Sequence, residues 1–137
     1  MSYFDDVGAF HVRFGLPRAG DHRAPELPTY DVARYRLRFL DEELAELETA
    51  LMVGDLALAA DALADLVYVA LGTAHLLGLP FDAIWAEVQR ANLAKERATG
   101  PDDARSKRGH ALDVVKPAGW RPPDHRPALR RAGWKKR

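Results

Sequence analysis

Residues 37–65 read LRFLDEELAELETALMVGDLALAADALAD, and this stretch decides the fold. Leu37, Leu40, Leu44, Leu47 and Leu51 step by three, four, three and four, the period of one face of an α-helix. Gly54-Asp55 then sets a C-cap glycine beside an N-cap aspartate, so one helix ends and the next starts at once. Working outward, the first of these helices is predicted from about Asp31 to Val53 and the second to about Leu77, where Gly78-Leu79-Pro80 stops it. A further helix is predicted from Phe81 to about Ala98. Upstream, Ser2–Phe14 reads as a short helix stopped by Gly15-Leu16-Pro17, followed by a proline-rich loop. After Gly100-Pro101 the chain turns polar and rich in Pro, Gly and Arg, which predicts loop or short strand and a flexible basic end from about Arg126. The expected fold is all-α: an antiparallel bundle of about four helices over residues 1–124, with a mostly irregular basic tail at 125–137.

The chain has 137 residues, enough for one domain, with 47% apolar and 29% charged residues. It has no cysteine, which excludes a disulfide framework, a cysteine zinc site and a thiol nucleophile and suits a reducing cytoplasm. No signal peptide opens it, and the longest uncharged run, Leu66–Phe81, is short for a membrane span. The net charge of zero hides an asymmetry. Residues 39–89 carry ten acids and no Lys or Arg, whereas residues 90–137 carry fourteen Lys or Arg and five acids. Such a division suggests either mutual neutralisation or a cation site accompanied by a phosphate site.

The acids are not scattered. At about 100° per residue, Glu42, Glu43 and Glu46 share a helix face distinct from the leucine stripe, framed by Tyr35, Phe39, Ala50 and Val53. No Lys or Arg lies four residues from Glu43 or Glu46 to relieve them. On the next helix the only charges between Leu56 and Phe81 are Asp61 and Asp65, four apart and so on one face that Tyr68 and Gly72 continue. The remainder is apolar all round, the pattern of a buried helix. Two carboxylates there call for partners. Salt bridges to Arg90, Arg34 or Arg38 are one solution. The other is that they face the glutamates across the hairpin and form an oxygen-ligand site for Mg²⁺ or Mn²⁺.

Glu42-Glu43-x-x-Glu46 followed by a carboxylate pair on the next helix resembles the MazG-like all-α nucleoside triphosphate pyrophosphohydrolases, whose pattern is E-E-x-x-E and then E-x-x-D. Other stretches agree: Phe10-His11 with Phe14-Gly15-Leu16-Pro17; Asp61 to Val69; Glu87-Val88-Gln89-Arg90-Ala91-Asn92 with Lys95; and Val115 to Pro123, which is similar to a closing K-x-x-x-[YW]-x-P-P. The likeness covers about residues 7–124. It departs at one place, since Ala62 stands where the E-x-x-D glutamate belongs, and that role is carried to Asp61.

The resemblance implies hydrolysis of a nucleoside triphosphate to the monophosphate and pyrophosphate. Glu42, Glu43, Glu46, Asp61 and Asp65 would hold two or more Mg²⁺ ions, with Mn²⁺ able to substitute, and Glu42, Glu43, Glu46 and Asp65 would be catalytic. Asn92 and Lys95, sharing a face of the last helix, would meet phosphate oxygens together with Lys116, Lys107 and Arg108. Phe10, His11 and Phe14 would line a base pocket by stacking, or simply pack the first helix. The ends resemble the small bacterial and phage branch, of which the MazZ-like part acts on dGTP. That puts dGTP or GTP first, ahead of a dUTP-type or broad house-cleaning activity. It also implies a homodimer or homotetramer in the cytoplasm of a bacterium or of a phage-infected host.

Three rivals are weaker. A di-iron bundle needs Glu-x-x-His pairs, which the chain lacks. A catalytically dead helical binding module would explain Ala62. The terminal run of Arg and Lys suggests nucleic acid, but the acidic centre would repel a duplex, so no specific nucleic-acid partner is expected. His75 is read as a core or interface histidine without a role.

Overall fold

The structure is a computed structural model that describes residues 2–136. Five helices follow one another: α1 (Tyr3–Arg13), α2 (Tyr30–Val53), α3 (Leu56–Leu76), α4 (Phe81–Leu93) and, after a two-stranded hairpin of β1 (Glu96–Arg97) and β2 (Val114–Val115), α5 (Arg126–Arg131). The fold is all-α apart from that hairpin. The chain divides into two compact units, Met1–Phe81 with Leu129–Arg137, and Asp82–Ala128.

The first unit is built on the α2–α3 hairpin, with α1 packed against α3. Gly54 closes α2 in the left-handed conformation at φ 73°, where a side chain would be strained. Asp55 caps α3 by accepting the Leu58 N–H at 3.0 Å. Ser2 and Asp5 form a capping box on α1, with the Ser2 N–H donating to the Asp5 carboxylate at 2.8 Å. The contact of α1 with α3 is made by rings: Phe4 stacks on His75 at 3.8 Å, and His11 lies 5.1 Å from His75. His75 is buried and both ring nitrogens are satisfied. The Ala19 N–H donates to Nδ1, which leaves Nε2–H to donate to the Phe4 carbonyl. This is the core histidine expected. Burial holds its pKa below the usual histidine range. Gly72 lets two side chains approach closely: a Cβ there would stand 2.8 Å from the Arg36 guanidinium and 3.2 Å from the His11 ring. Arg36 spans α2 and α3 by donating to Thr73 Oγ1 and to the Val69 carbonyl.

Two expectations are corrected in this unit. The composition of α3 predicts a buried helix, yet Leu56, Leu58, Leu63 and Val67 are exposed in the single chain. The stripe on α2 is likewise uncovered at Leu37, Leu44 and Leu51, the last 60% exposed. One hairpin and one short helix offer too little surface to cover both faces. By length and composition α3 also passes for a membrane-crossing helix, with 28% of its apolar window buried. Its Asp61 and Asp65 would each cost several kcal/mol in hydrocarbon. The tail differs as well. Residues Arg126–Arg131 are helical with Ala128 buried, and Trp134 and its neighbours line a cavity of ≈ 630 Å³ with Ala24–Leu27.

In the second unit, α4 ends at Leu93 and not near Ala98. Glu96 and Arg97 pair instead with Val115 and Val114, and the Ala98 N–H donates to the Asp113 carbonyl. Lys95 therefore lies outside the helix, so the expectation that it shares a helix face with Asn92 is corrected. The closing segment is tied to α4 at three points. The Trp120 indole N–H donates to the Ala91 carbonyl at 2.7 Å, Arg90 donates to the Arg121 and Pro122 carbonyls, and Glu87 accepts the Asp124 N–H. The Glu87-x-x-Arg90 and Trp120-x-Pro122-Pro123 motifs thus occur together because they bond to each other.

Candidate active site

The acidic face of the first unit is assembled by helix period and by the tight turn at Gly54-Asp55. That turn brings α3 back along α2, so residues at similar distances from it meet. Glu46 and Asp61 line one cleft of ≈ 360 Å³ with Ala45, Thr49, Ala50, Leu58 and Ala62. Ala62 is buried there, and the cleft opens at the residue where the family pattern has a longer, acidic side chain.

Glu43 is the centre of the group. It is half-buried, and its Oε2 is fully covered without a hydrogen-bond partner. Burial pushes its carboxyl above the ordinary glutamate range. The charges of Glu46, Asp65, Glu42 and Asp61 push it the same way. The other four predicted carboxylates therefore all act on Glu43. The salt-bridge solution fails: among the described residues, none of the five forms an ion pair. As the side chains stand, no three acids or histidines among the described residues converge closely enough to grip one ion. The donor set is nonetheless of the kind a hard divalent cation takes, all carboxylate oxygen, and the covered Oε2 of Glu43 is an acceptor left without a partner.

The predicted base-binding residues separate. Phe10 and Phe14 are exposed, 4.6 Å apart, and Phe10 meets Tyr68 edge-on at 5.5 Å. Tyr68 lies three residues beyond Asp65, so this aromatic patch adjoins the acidic face. Tyr68 belongs with the candidate base platform, and its signal was its place on the Asp61–Asp65 face. His11 is different. It is buried, and its Nδ1–H donates to the Pro17 carbonyl at 2.6 Å, fixing the turn after α1.

The predicted phosphate ligands lie in the second unit. Lys95, Lys107, Arg108 and Lys116 line one pocket of ≈ 260 Å³, joined by Arg105, which the sequence did not single out. Asn92 is exposed on the last turn of α4. Two of the cations are already engaged. Arg108 pairs with buried Asp113, which also accepts from Ser106 Oγ and the Val114 N–H. Arg105 pairs with Asp103 and Glu96. Hydrogen bonding to Ser106, and then the bonds from Val114 and Arg108, hold the Asp113 carboxyl below its usual range. Among the described residues, Lys95, Lys107 and Lys116 have no carboxylate partner.

No curated protein matches the chain at a significant level. A family model described as phosphoribosyl-ATP pyrophosphohydrolase matches residues 7–92, from α1 through the end of α4. The match takes in Glu42, Glu43, Glu46, Asp61 and Asp65, and stops before the cationic pocket. By that match, over more than half its length, the chain belongs to the phosphoribosyl-ATP pyrophosphohydrolase family of the MazG-like all-α nucleoside triphosphate pyrophosphohydrolases, and is a hydrolase that acts on the acid anhydride of a nucleotide triphosphate.

Proposed function

We propose that the protein hydrolyses a nucleoside triphosphate to its monophosphate and pyrophosphate in a reaction that depends on Mg²⁺ or Mn²⁺ held by Glu42, Glu43, Glu46, Asp61 and Asp65. The observation that carries this is uncompensated charge: burial and the four neighbouring carboxylates raise the cost of ionising Glu43, and among the described residues none of the five forms an ion pair. Bound there, two or more ions would offset the charge of the triphosphate and polarise its phosphoryl oxygens. The chain's own contribution is positional. Glutamates carry several rotatable bonds, so Glu42, Glu43 and Glu46 can swing onto a common point. Glu43, whose carboxyl burial and its acidic neighbours hold above the ordinary glutamate range, is the acceptor for the proton of the attacking water. Exposed Phe10, Phe14 and Tyr68 stack the base. Within the second unit, Asn92, Lys95, Lys107, Arg108 and Lys116 take up phosphate oxygens.

The leading substrate is dGTP or GTP, on the resemblance of the chain's ends to the small bacterial and phage branch, one part of which acts on dGTP. A second reading follows the description of the matched family and puts phosphoribosyl-ATP in the same site. The uncovered leucines of α2 and α3 support a homodimer or homotetramer that buries them. The test is ion-exchange analysis of products after incubation with each dNTP, dUTP, each NTP and phosphoribosyl-ATP, with Mg²⁺, with Mn²⁺ and with EDTA. Monophosphate and pyrophosphate that form only with metal support the proposal, and the ranking names the base. No turnover by a folded protein would shift the assignment to a binding module, with Ala62 as the reason. Sedimentation of Leu51→Lys beside the parent tests the assembly: the variant is expected to fall to a smaller species.

A further inference from the structure

The second unit sets two lysines against each other. In the antiparallel hairpin Glu96 pairs with Val115 and Arg97 with Val114. Continuing that register by one residue places Lys95 across from Lys116. Like charges directly opposite one another destabilise a β-pair, and here the ladder ends where they meet. Both ammonium groups also lie over one indole: Lys116 Nζ is 4.6 Å and Lys95 Nζ 5.7 Å from the centre of the Trp120 ring. That ring is fixed by its own N–H, which donates to the Ala91 carbonyl. Both lysines line the same pocket, and the pocket's two arginines are occupied by Asp113, Asp103 and Glu96.

We infer that Trp120 is a positioning residue that gathers Lys95 and Lys116 into a two-pronged site for a pyrophosphate group, with Lys107 at its side. An indole attracts each ammonium through its ring face, and so holds together two charges that would otherwise splay apart. A polyanion between them removes the repulsion and recovers two charge-assisted hydrogen bonds. The arginines serve the walls of the pocket. The inference deepens the proposed uptake of phosphate by this unit. It names the group bound, which is either the leaving pyrophosphate or the same moiety in a nucleotide.

The experiment is calorimetric titration of inorganic pyrophosphate into the full chain with EDTA present, alongside thermal unfolding. Lys116→Gln is expected to weaken binding about tenfold, the loss of one charge-assisted contact. It should leave Tm unchanged or raised, because the cross-strand repulsion is gone. Trp120→Leu should weaken binding several-fold and Trp120→Phe, which keeps a ring face, by less. In a Lys95→Gln/Lys116→Gln background, Trp120→Phe should change nothing further. Pyrophosphate that fails to bind the parent, Lys116→Gln that binds like the parent, or an undiminished effect of Trp120→Phe in the double background would each overturn the inference. Should Trp120→Leu fail to fold, the Phe variant and the lysine pair still decide. Titration of dGMP and dGTP separates the two sources: the triphosphate alone binds if the group is read within a nucleotide. The outcome is independent of turnover, since a chain without hydrolytic activity that binds pyrophosphate through Trp120 upholds the inference and refutes only the hydrolysis.

Discussion

The two units treat charge in opposite ways. The second unit holds five of the six ion pairs among the described residues, from Arg90–Glu87 to Arg126–Asp124, and the first holds only Arg18–Asp21. In the second unit the acids are spent on architecture: Asp113 anchors Ser106 and Arg108, Asp103 holds Arg105 and the Thr99 N–H, and Glu87 clasps Arg90. In the first, none of Glu42, Glu43, Glu46, Asp61 and Asp65 forms an ion pair among the described residues, and the charges of the other four oppose the ionisation of Glu43. A feature that costs stability and is not compensated within the chain is where function is to be sought. The same logic picks out the three lysines of the second unit, which stand apart from its ion pairs.

The largest expected effect tests the first half of this contrast. Glu43→Gln removes the proton acceptor and should lower turnover by about 10²–10⁴-fold, the range of a lost general base, with helical circular dichroism unchanged. In the metal-free protein the same change should raise Tm, since it removes a carboxylate that its neighbours repel. Asp65→Asn should behave likewise. A functional acid that loses activity and gains stability is the opposite of a structural one. If Glu43→Gln lowered both Tm and activity in proportion, the contrast between the units would be broken.

Asp113→Asn tests the second half. The carboxylate is buried and accepts from Ser106, Arg108 and Val114, so the amide loses its charge-assisted bonds and places a donor where an acceptor is needed. Tm should fall by several degrees, as a scan by circular dichroism will show. The pocket formed by Lys95, Lys107 and Lys116 should then bind pyrophosphate less tightly, because the Ser106–Gly109 turn that carries Lys107 loses its anchor.

The sequence carried the helices and the acidic face because both are local. A 3-4-3-4 leucine step, a glycine and an aspartate at the turn and carboxylates at helical spacing all act within a few residues of themselves. Three things were not local. The end of α4 at Leu93 escaped because no Gly or Pro interrupts residues 90–98. What ends the helix is the recruitment of Glu96 and Arg97 by a strand eighteen residues on. The engagement of Arg105 and Arg108, and the seat of two lysines on Trp120, depend on the same long-range pairing. The exposure of α3 has another reason. Apolar composition reports that a face is to be covered, and does not report whether the cover comes from the same chain or another.

The smallest expected effect is the most direct comparison, because acid titration should move the two groups in opposite senses. Glu87 is held down at about 2, first by its bond from Arg90 and then by the Asp124 N–H. A carboxyl depressed on folding adds stability above its unfolded pKa, about 4.3, and that stability is lost as pH falls from there toward 2. Asp103 and Asp113 act in the same direction. Glu43 is raised, so its contribution is present below the unfolded value and is lost as pH climbs through the raised one. In EDTA, the Tm of Glu43→Gln relative to the parent should therefore be level at pH 4 and grow toward pH 7. That of Glu87→Gln should be lowest near neutrality and rejoin the parent in acid. Saturating Mg²⁺ should erase the first difference, because ions bound by the parent and not by the variant favour the parent's folded state, and leave the second untouched. A Glu43→Gln profile that ran parallel to that of Glu87→Gln would mean that the acidic face is held together by bonds of its own and is not waiting for a cation.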